Sequence, residues 1–574
     1  MLKITDLTTD YRNRPVGLDV SPRFGWKLQS DRKGVLQISY RITAIDSDTK
    51  QQIWDSGVVM SSQSFGIAWN GESLHSFEKI HWQVVVSVMD EENQLEENRS
   101  ETAYFEMGIL HQEEWKCAWI EPEDEVEIDG RMPAPYLRKV FSVKPGLKEA
   151  RIYQTAHGLY EYWINGETGT EEKFKPGFTS YYKRLQYQTY DITSLLNEGR
   201  NCWAVALGDG WWRGNTGGAF RNNFGYKLGY FGQIRIVYEN GTVEYISTDS
   251  SFKTLNGEIR KNDMKEGEYI DASKEPVGWK TSNYDDTQWK RIHLEQDEFA
   301  TLTNLVSSRS IPVHEKEKFM PQLMHTPDGN TVLDFGQNIA GYVQVHFHGL
   351  KKGQIVEMKH GEALDENGNF TQKNIILDNP EAEIQKVIYV SDGSEDVYYK
   401  PTFAVFGFQY VLVKGLEKIN INDFTAIAVY SDMGETGSFK CSNKLINQLV
   451  SNSIWSQKGN FLDVPTDCPT RERSPWTGDS QVYAETASRF MNVYGFFEKW
   501  MIDVSLEQFE SGKIPNTAPR SAAVHNTKEL ERKKKNGITS RRKCSETGSA
   551  NDTWNTGKWR SNRRQCRMGR CCCN

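Results

Sequence analysis

DVPTDCPTRERSPWTGD, residues 463–479, packs four carboxylates (Asp463, Asp467, Glu472, Asp479), two arginines (Arg471, Arg473) and three prolines around one large aromatic, Trp476. The residues on either side follow a helical apolar period. Upstream, SNKLINQLVSNSIW (442–455) opens with Ser442 as an N-cap, then sets Leu445 and Leu449, and Ile446, Val450 and Ile454, on adjoining faces. Downstream, Tyr483, Ala487, Phe490, Met491 and Tyr494 form a second apolar stripe, and Phe497, Trp500, Met501 and Val504 a third. The charged stretch is therefore predicted to be a loop joining two helices of an all-α domain. Pro465 and Pro469 stop the first helix, while Pro475 fixes its own φ at about −65° and drives Ser474 out of the α region. A stiff, irregular loop results, ending where Asp479 can cap the next helix.

Before residue 435 the period is two, with turn residues as punctuation, and no helical segment exceeds two turns. VLQISYRITA (35–44) sets Leu36, Ile38, Tyr40 and Ile42 on one face. QIRIVYENGTVEYIST (233–248) reads as a hairpin about Asn240-Gly241, a pair suited to a type I′ turn. GYVQVHFHGL (341–350) alternates Val343, Val345 and Phe347. Several β domains in series are expected, with seams near 110–116 and 300–320.

A chain of 574 residues and 65.9 kDa exceeds what one core can serve, so roughly three to five domains are expected. The net charge of −8 is unevenly spread. Residues 528–574 hold 14 Lys and Arg against 4 Asp and Glu, a balance of +10, so the rest carries −8 − 10 = −18. An acidic body argues against nucleic acid as a partner. No run approaches the ~18 apolar residues of a membrane span, and MLKITDLTTDYRNRP has no secretory apolar region. Cys117, Cys202, Cys441 and Cys468 lie far apart, as suits a reducing, cytoplasmic setting, whereas the other five cysteines crowd into 544–573. Aromatic content of 12% suits sugar stacking and β-sandwich cores equally.

In the charged loop, like-charge crowding and an aromatic cover raise the pKa of a carboxylic acid, as a general acid needs. Glu472, central in the loop, is best placed for that role. Asp467 and Asp479 would then stay ionised and accept from hydroxyls, and Trp476 would offer a flat face to a sugar ring. The bland alternative makes Asp479 only an N-cap and Trp476 only a core anchor.

VPTDCPTRERSPWTGDSQVYAETA (464–487) resembles the signature of the α-L-rhamnosidases of glycoside hydrolase family 78. LDVSPRFGWKLQSD (18–31) resembles that family's N-terminal fibronectin-like domain. TSYYKRLQYQTYDITSLLNEGRN (179–201) and LGDGWWRG (207–214) resemble its jelly-roll domain. LDFGQNIAGYV (333–343), HGEALDENGNF (360–370) and FGFQYVLVKG (406–415) resemble the β-sandwich before its barrel, and SDMGETGSFKCSN (431–443) the barrel entry. The resemblance implies several β-sandwich domains followed by the start of an (α/α)6 barrel. Its segments are 1–112 (fibronectin-like), 113–305 (jelly roll), 306–433 (concanavalin-like), 434–527 (incomplete barrel) and 528–574 (an aberrant tail). It implies hydrolysis of terminal α-L-rhamnose from glycosides with inversion, Glu472 as general acid, and Asp467, Arg471, Trp476 and Asp479 around the rhamnose. No cofactor is implied, although some family β domains hold calcium. Ser474-Pro475 departs from the Leu-Gly of many members without changing a reactive group.

Inversion needs a second carboxylate ~6.5–9.5 Å across the bond. The family's base lies far downstream, so this chain is expected to lack it and to show little or no activity. A non-catalytic sugar-binding remnant is the alternative. Such a partial barrel would expose Tyr483, Phe490 and Phe497. RQCRMGRCCCN (564–574) can be encoded so that the next frame reads DNAGWGDAAV, and GWGDAA resembles a family barrel motif. A frameshift between about 527 and 550 is thus expected. Consecutive cysteines cannot all face one ion, so a metal site at Cys571–Cys573 is disfavoured. GDGWWRG does not match a dinucleotide loop, and DENGNF (365–370) starts like a calcium loop but has Ile376 at its twelfth position. His157, His346, His348 and His360 show no ligand spacing.

Overall fold

The computed structural model describes residues 2–123, 131–215, 221–294, 304–376 and 384–520. The basic tail with its five cysteines lies outside them. Among the described residues the chain is β-rich up to Ser431, and three long helices follow.

The first unit packs a three-stranded sheet on a six-stranded one. In Lys79–Met89, Ile80, Trp82, Val84, Val86 and Val88 are all buried, the period-two signature of a strand with one face in a core. The neighbouring Leu36–Asp46 corrects the expected alternation. Its register on Lys79–Met89 slips between Gln37 and Ser39. This bulge changes the phase, so Tyr40 and Ile42 are buried while Leu36 is 70% exposed and Ile38 only half-buried.

The second unit pairs a seven-stranded with a five-stranded sheet around Trp203, Tyr160, Tyr162, Tyr230 and Ile234. Its hairpin Gly229–Tyr238/Val243–Ser247 forms as expected, but the turn differs. Tyr238 N–H donates to Thr242 O at 2.9 Å across a three-residue loop, and only Gly241 has positive φ (+82°), not Asn240. A type I′ turn needs both central residues in that region, so this is a turn closed by a left-handed glycine.

The third sheet has ten strands centred on Thr331–His348, Phe406–Lys414 and Phe424–Ser431. It also takes in Ile259–Asp263 and Gly267–Asp271 from earlier in the chain, the latter parallel to Lys386–Val390. Val343, Val345 and Phe347 are buried as expected. DENGNF forms the tip of a small hairpin, Ala363–Leu364/Phe370–Thr371.

Helices α1 (Gly210–Arg213), α2 (Lys444–Asn460), α3 (Thr477–Phe490) and α4 (Tyr494–Leu506) are the α-helices among the described residues. The α2 N-cap is Asn443 rather than Ser442, its side chain accepting from Leu445 N–H at 2.9 Å and Ile446 N–H at 3.3 Å. Tyr483, Phe490 and Phe497 are partly buried against Phe461, Met491 and Phe496. The exposed apolar side chains lie instead at Leu445 (81%) and Leu449 (60%) of α2 and at Val482 of α3. None of the described helices is long and apolar enough to cross a membrane.

Candidate active site

The charged stretch does join α2 to α3, and its two ends behave differently. At the α2 end, Phe461–Leu462 and Val464–Pro465 make a tight two-stranded ribbon with Asp463 at the tip, φ +63°. The Asp463 carboxylate is buried. It accepts from Lys499 Nζ at 2.7 Å and from Phe178 N–H at 2.5 Å. Lys499, on α4, also donates to Phe178 O at 2.5 Å. Gly177 is needed beside this pair, because a Cβ there would stand 2.8 Å from the Asp463 carboxylate. One segment further, Arg184 forms a buried ion pair with Asp503 of α4 at 2.8 Å, and Ser180 N–H donates to the same carboxylate at 3.0 Å. The second sheet unit thus clamps both the loop and α4.

The middle of the loop is a ring closed on itself. Asp467 N–H donates to Ser474 O at 3.1 Å, and Ser474 N–H returns to Asp467 Oδ1 at 2.9 Å. Burial pushes the Asp467 carboxyl above its ordinary value, against the Ser474 hydrogen bond that favours the charged form. The crowding of the loop led to an expected raised acid, and Asp467 is one whose carboxyl burial raises. Cys468 Sγ accepts from Glu472 N–H at 3.3 Å inside the ring. Below it, Pro469 and Thr470 press on Gly407 of the third sheet, where a Cβ would meet Thr470 Cγ2 at 2.5 Å.

Arg473 adopts a positive φ of +57° and turns its side chain under the loop. Its Nη1 donates to Met264 O at 2.7 Å, and Nη2 reaches Gln385 Oε1 at 3.4 Å. Burial lowers this guanidinium to about 10. Gln385 Oε1 also accepts from Gly407 N–H at 2.9 Å, so one amide joins the loop to the sheet floor. A small apolar cavity lies here, lined by Trp211, Met264, Val405, Leu462, Pro469 and Arg473. Neither Glu472 nor Trp476 borders it.

Glu472 and Trp476 are the pair the fold brings together on the other side. Both are half-buried, and Trp476 Nε1–H donates to Glu472 Oε2 at 3.1 Å. Trp476 is the α3 N-cap position, anchored where Ala518 N–H donates to Pro475 O at 3.1 Å and Thr477 N–H to Asn516 O at 2.8 Å. Asp479 does not cap α3 as expected. It stands in the first turn, exposed, where a negative charge complements the helix dipole. Arg471 is half-buried, and its charge acts on Glu362 of the third sheet. Burial pushes Glu362 up, while Asn338 Nδ2 at 3.4 Å and the charges of Arg471 and Arg473 oppose that shift. Glu362 was not singled out from the sequence, although it lies inside HGEALDENGNF; its separation from the loop in sequence hides the contact.

The DENGNF segment closes on itself as a hairpin turn. Asp365 Oδ1 is occupied by Asn367 N–H and Asn369 N–H, both at 2.9 Å, as a hairpin turn requires. His157 is sandwiched between Trp119 and Trp212 at 4.0 and 4.2 Å, and His360 packs on Phe406; burial lowers both imidazoles to about 3.

Four family models match along the chain. They are a Rha78A-like N-terminal immunoglobulin domain (4–111), an α-L-rhamnosidase N-terminal domain (146–317), a bacterial α-L-rhamnosidase concanavalin-like domain (324–430) and a bacterial α-L-rhamnosidase 6 hairpin glycosidase domain (434–532). The chain belongs to the α-L-rhamnosidases of glycoside hydrolase family 78. An α-L-rhamnosidase of Formosa agariphila is 31% identical over 533 residues, covering 90% of this chain and 56% of the relative. One from an Alteromonas species is 31% identical, covering 88% and 56%. Among solved structures, native α-L-rhamnosidase from Aspergillus terreus is similar with a TM-score of 0.83 and 31% identity, over 91% of this chain and 60% of that one. The Streptomyces avermitilis α-L-rhamnosidase complexed with L-rhamnose shares the fold, with a TM-score of 0.83 at 24% identity over 91% and 66%. The chain spans a little over half the length of these curated relatives.

Proposed function

We propose that this chain carries the acid-bearing side of an α-L-rhamnosidase site that removes terminal α-L-rhamnose from small glycosides or oligosaccharides. One observation carries the proposal: the Glu472 carboxylate, half-buried on a proline-stiffened ring, is held by the indole N–H of Trp476 at 3.1 Å. A carboxyl so fixed can deliver its proton along one direction, to the glycosidic oxygen, without first being ordered. Trp476 would offer its ring to the sugar, and Asp467, Arg471 and Asp479 would supply hydroxyl-binding groups. The three helices would then be the start of an (α/α)6 barrel. Inversion would use a second carboxylate ~6.5–9.5 Å across the bond to activate water; the proposal assigns only the acid to this chain. Carboxylate acid–base chemistry of this kind needs no cofactor.

The second reading is a rhamnose-binding chain without turnover. Purified chain and its Glu472→Gln variant should be assayed with a chromogenic α-L-rhamnoside and titrated with L-rhamnose by calorimetry. Turnover abolished by Glu472→Gln supports the enzyme, and heat without turnover supports the binder. Turnover that survives the substitution, or neither heat nor turnover, overturns the assignment of Glu472.

A further inference from the structure

His346 and His348 stand two apart on the long strand Thr331–His348. Because strand side chains alternate and Val345 and Phe347 face the core, the two imidazoles share the outer face. Their ring centroids are 3.8 Å apart. The paired strand Asp396–Tyr399 sets Asp396 opposite His348 and Tyr398 opposite His346. Tyr398 stacks on His346 at 3.8 Å and 12°. Asp396 Oδ1 lies 2.5 Å from His346 Nε2 and 3.2 Å from His348 Nδ1. From the other side, the turn Ile421–Asp423 brings Asp423 Oδ1 to 3.6 Å from His348 Nε2. The sequence spacing hid this group, because Asp396 and Asp423 join it only through sheet pairing and a distant turn.

Asp396 Oδ1 is hydrogen-bonded to His346 Nε2 and stands beside His348 Nδ1, while Asp423 Oδ1, which accepts from Asn420 Nδ2 at 3.0 Å, faces His348 Nε2. One donor atom each from His346, His348 and Asp423 falls within 4.8 Å of the others. Ligands of one zinc ion at about 2.0–2.2 Å stand a little closer than that, a difference within reach of small side-chain rotations. Two imidazoles select a borderline ion over calcium, which takes oxygen ligands.

We propose that His346, His348 and Asp423 bind one zinc-type divalent ion on the outer face of the third sheet. Asp396 is its outer partner, orienting both imidazoles as carboxylates do behind metal-bound histidine. The ion would staple the turn at Ile421–Asp423 to the end of the central strand. The site is independent of the rhamnosidase reading, since it shares no residue with the charged loop.

The test is calorimetric titration with ZnCl2 of the full chain, stripped with chelator and with accessible thiols alkylated so that the tail cysteines do not compete. The wild-type chain should bind one equivalent more than His346→Ala/His348→Ala, and Asp396→Asn should weaken that equivalent by about tenfold or more. Asp423→Ala, a change in an exposed turn, should also remove it, which guards against misfolding of the double variant. Equal zinc stoichiometry in wild type and variants overturns the site. Calcium binding lost in the same variants, without zinc binding, overturns the choice of ion.

Discussion

Asp463 and Glu472 are nine residues apart in one loop, and the fold gives them opposite circumstances. Asp463 is 3% exposed, paired with a Lys499 that is itself buried, and further held by a backbone N–H from the second sheet unit. Glu472 is half-buried and held at its tip by one indole. A carboxylate shut away from solvent and neutralised by a buried ammonium serves as a rivet. A carboxylate with one partner and an open side can exchange a proton. Charge density in a loop is therefore no measure of chemistry; the number of partners each charge meets decides it.

The largest break in this comparison comes from the rivet. Asp463→Ala leaves the Lys499 ammonium buried without its counter-ion and should cost about 3–5 kcal/mol, read by urea unfolding of the purified chain. A loss below about 1 kcal/mol would show that the pair is solvated and that the two carboxylates are not so different. Gly407→Ala acts on the same loop from beneath. Its Cβ would meet Thr470 and Pro469 at 2.5 and 2.9 Å, so overpacking of about 1–3 kcal/mol is expected. Because the strain lands on the Glu472 ring, rhamnose binding by calorimetry should fall as well; unchanged stability and binding would mean the ring yields freely.

The smallest effect concerns Asp467, the intermediate case. Its folded value is raised above its ordinary 3.8 by burial, so the folded state holds the proton more tightly than the unfolded chain. Its contribution is fully present below pH 3.8 and is lost as pH rises through the folded value. Asp467→Asn keeps an oxygen for Ser474 N–H and removes the titration. Its stability should fall less steeply than wild type as pH rises above the ordinary carboxylate range, measured by unfolding at a series of pH values. Parallel curves would place Asp467 with the solvated acids.

Much of the fold was legible because its causes are local. Alternating Val, Trp and Ile mark Lys79–Met89 as a strand, the prolines of 463–479 enforce a break between helices, and DENGNF closes on its own Asp365. Where the expectations failed, a neighbour decided. Leu36 faces outward because a bulge against Lys79–Met89 shifts the phase, which no single strand encodes. Asn443 displaced Ser442 as cap through a one-residue choice of helix start, and Asp479 fell inside α3 for the same reason. Glu362 escaped notice since its relation to Arg471 and Arg473 crosses from the third sheet to the loop.

By itself the sequence determined that a β-rich chain gives way to helices at a stiff acidic loop. Periodicity, proline geometry and side-chain type act over a few residues and need no partner. Only the tertiary structure decided which acid is a rivet, which is buried and raised, and which stands open beside Trp476. Those outcomes depend on desolvation, on the charge of Lys499 and on the N–H groups of Phe178 and Trp476, which the chain brings within reach only once it has folded.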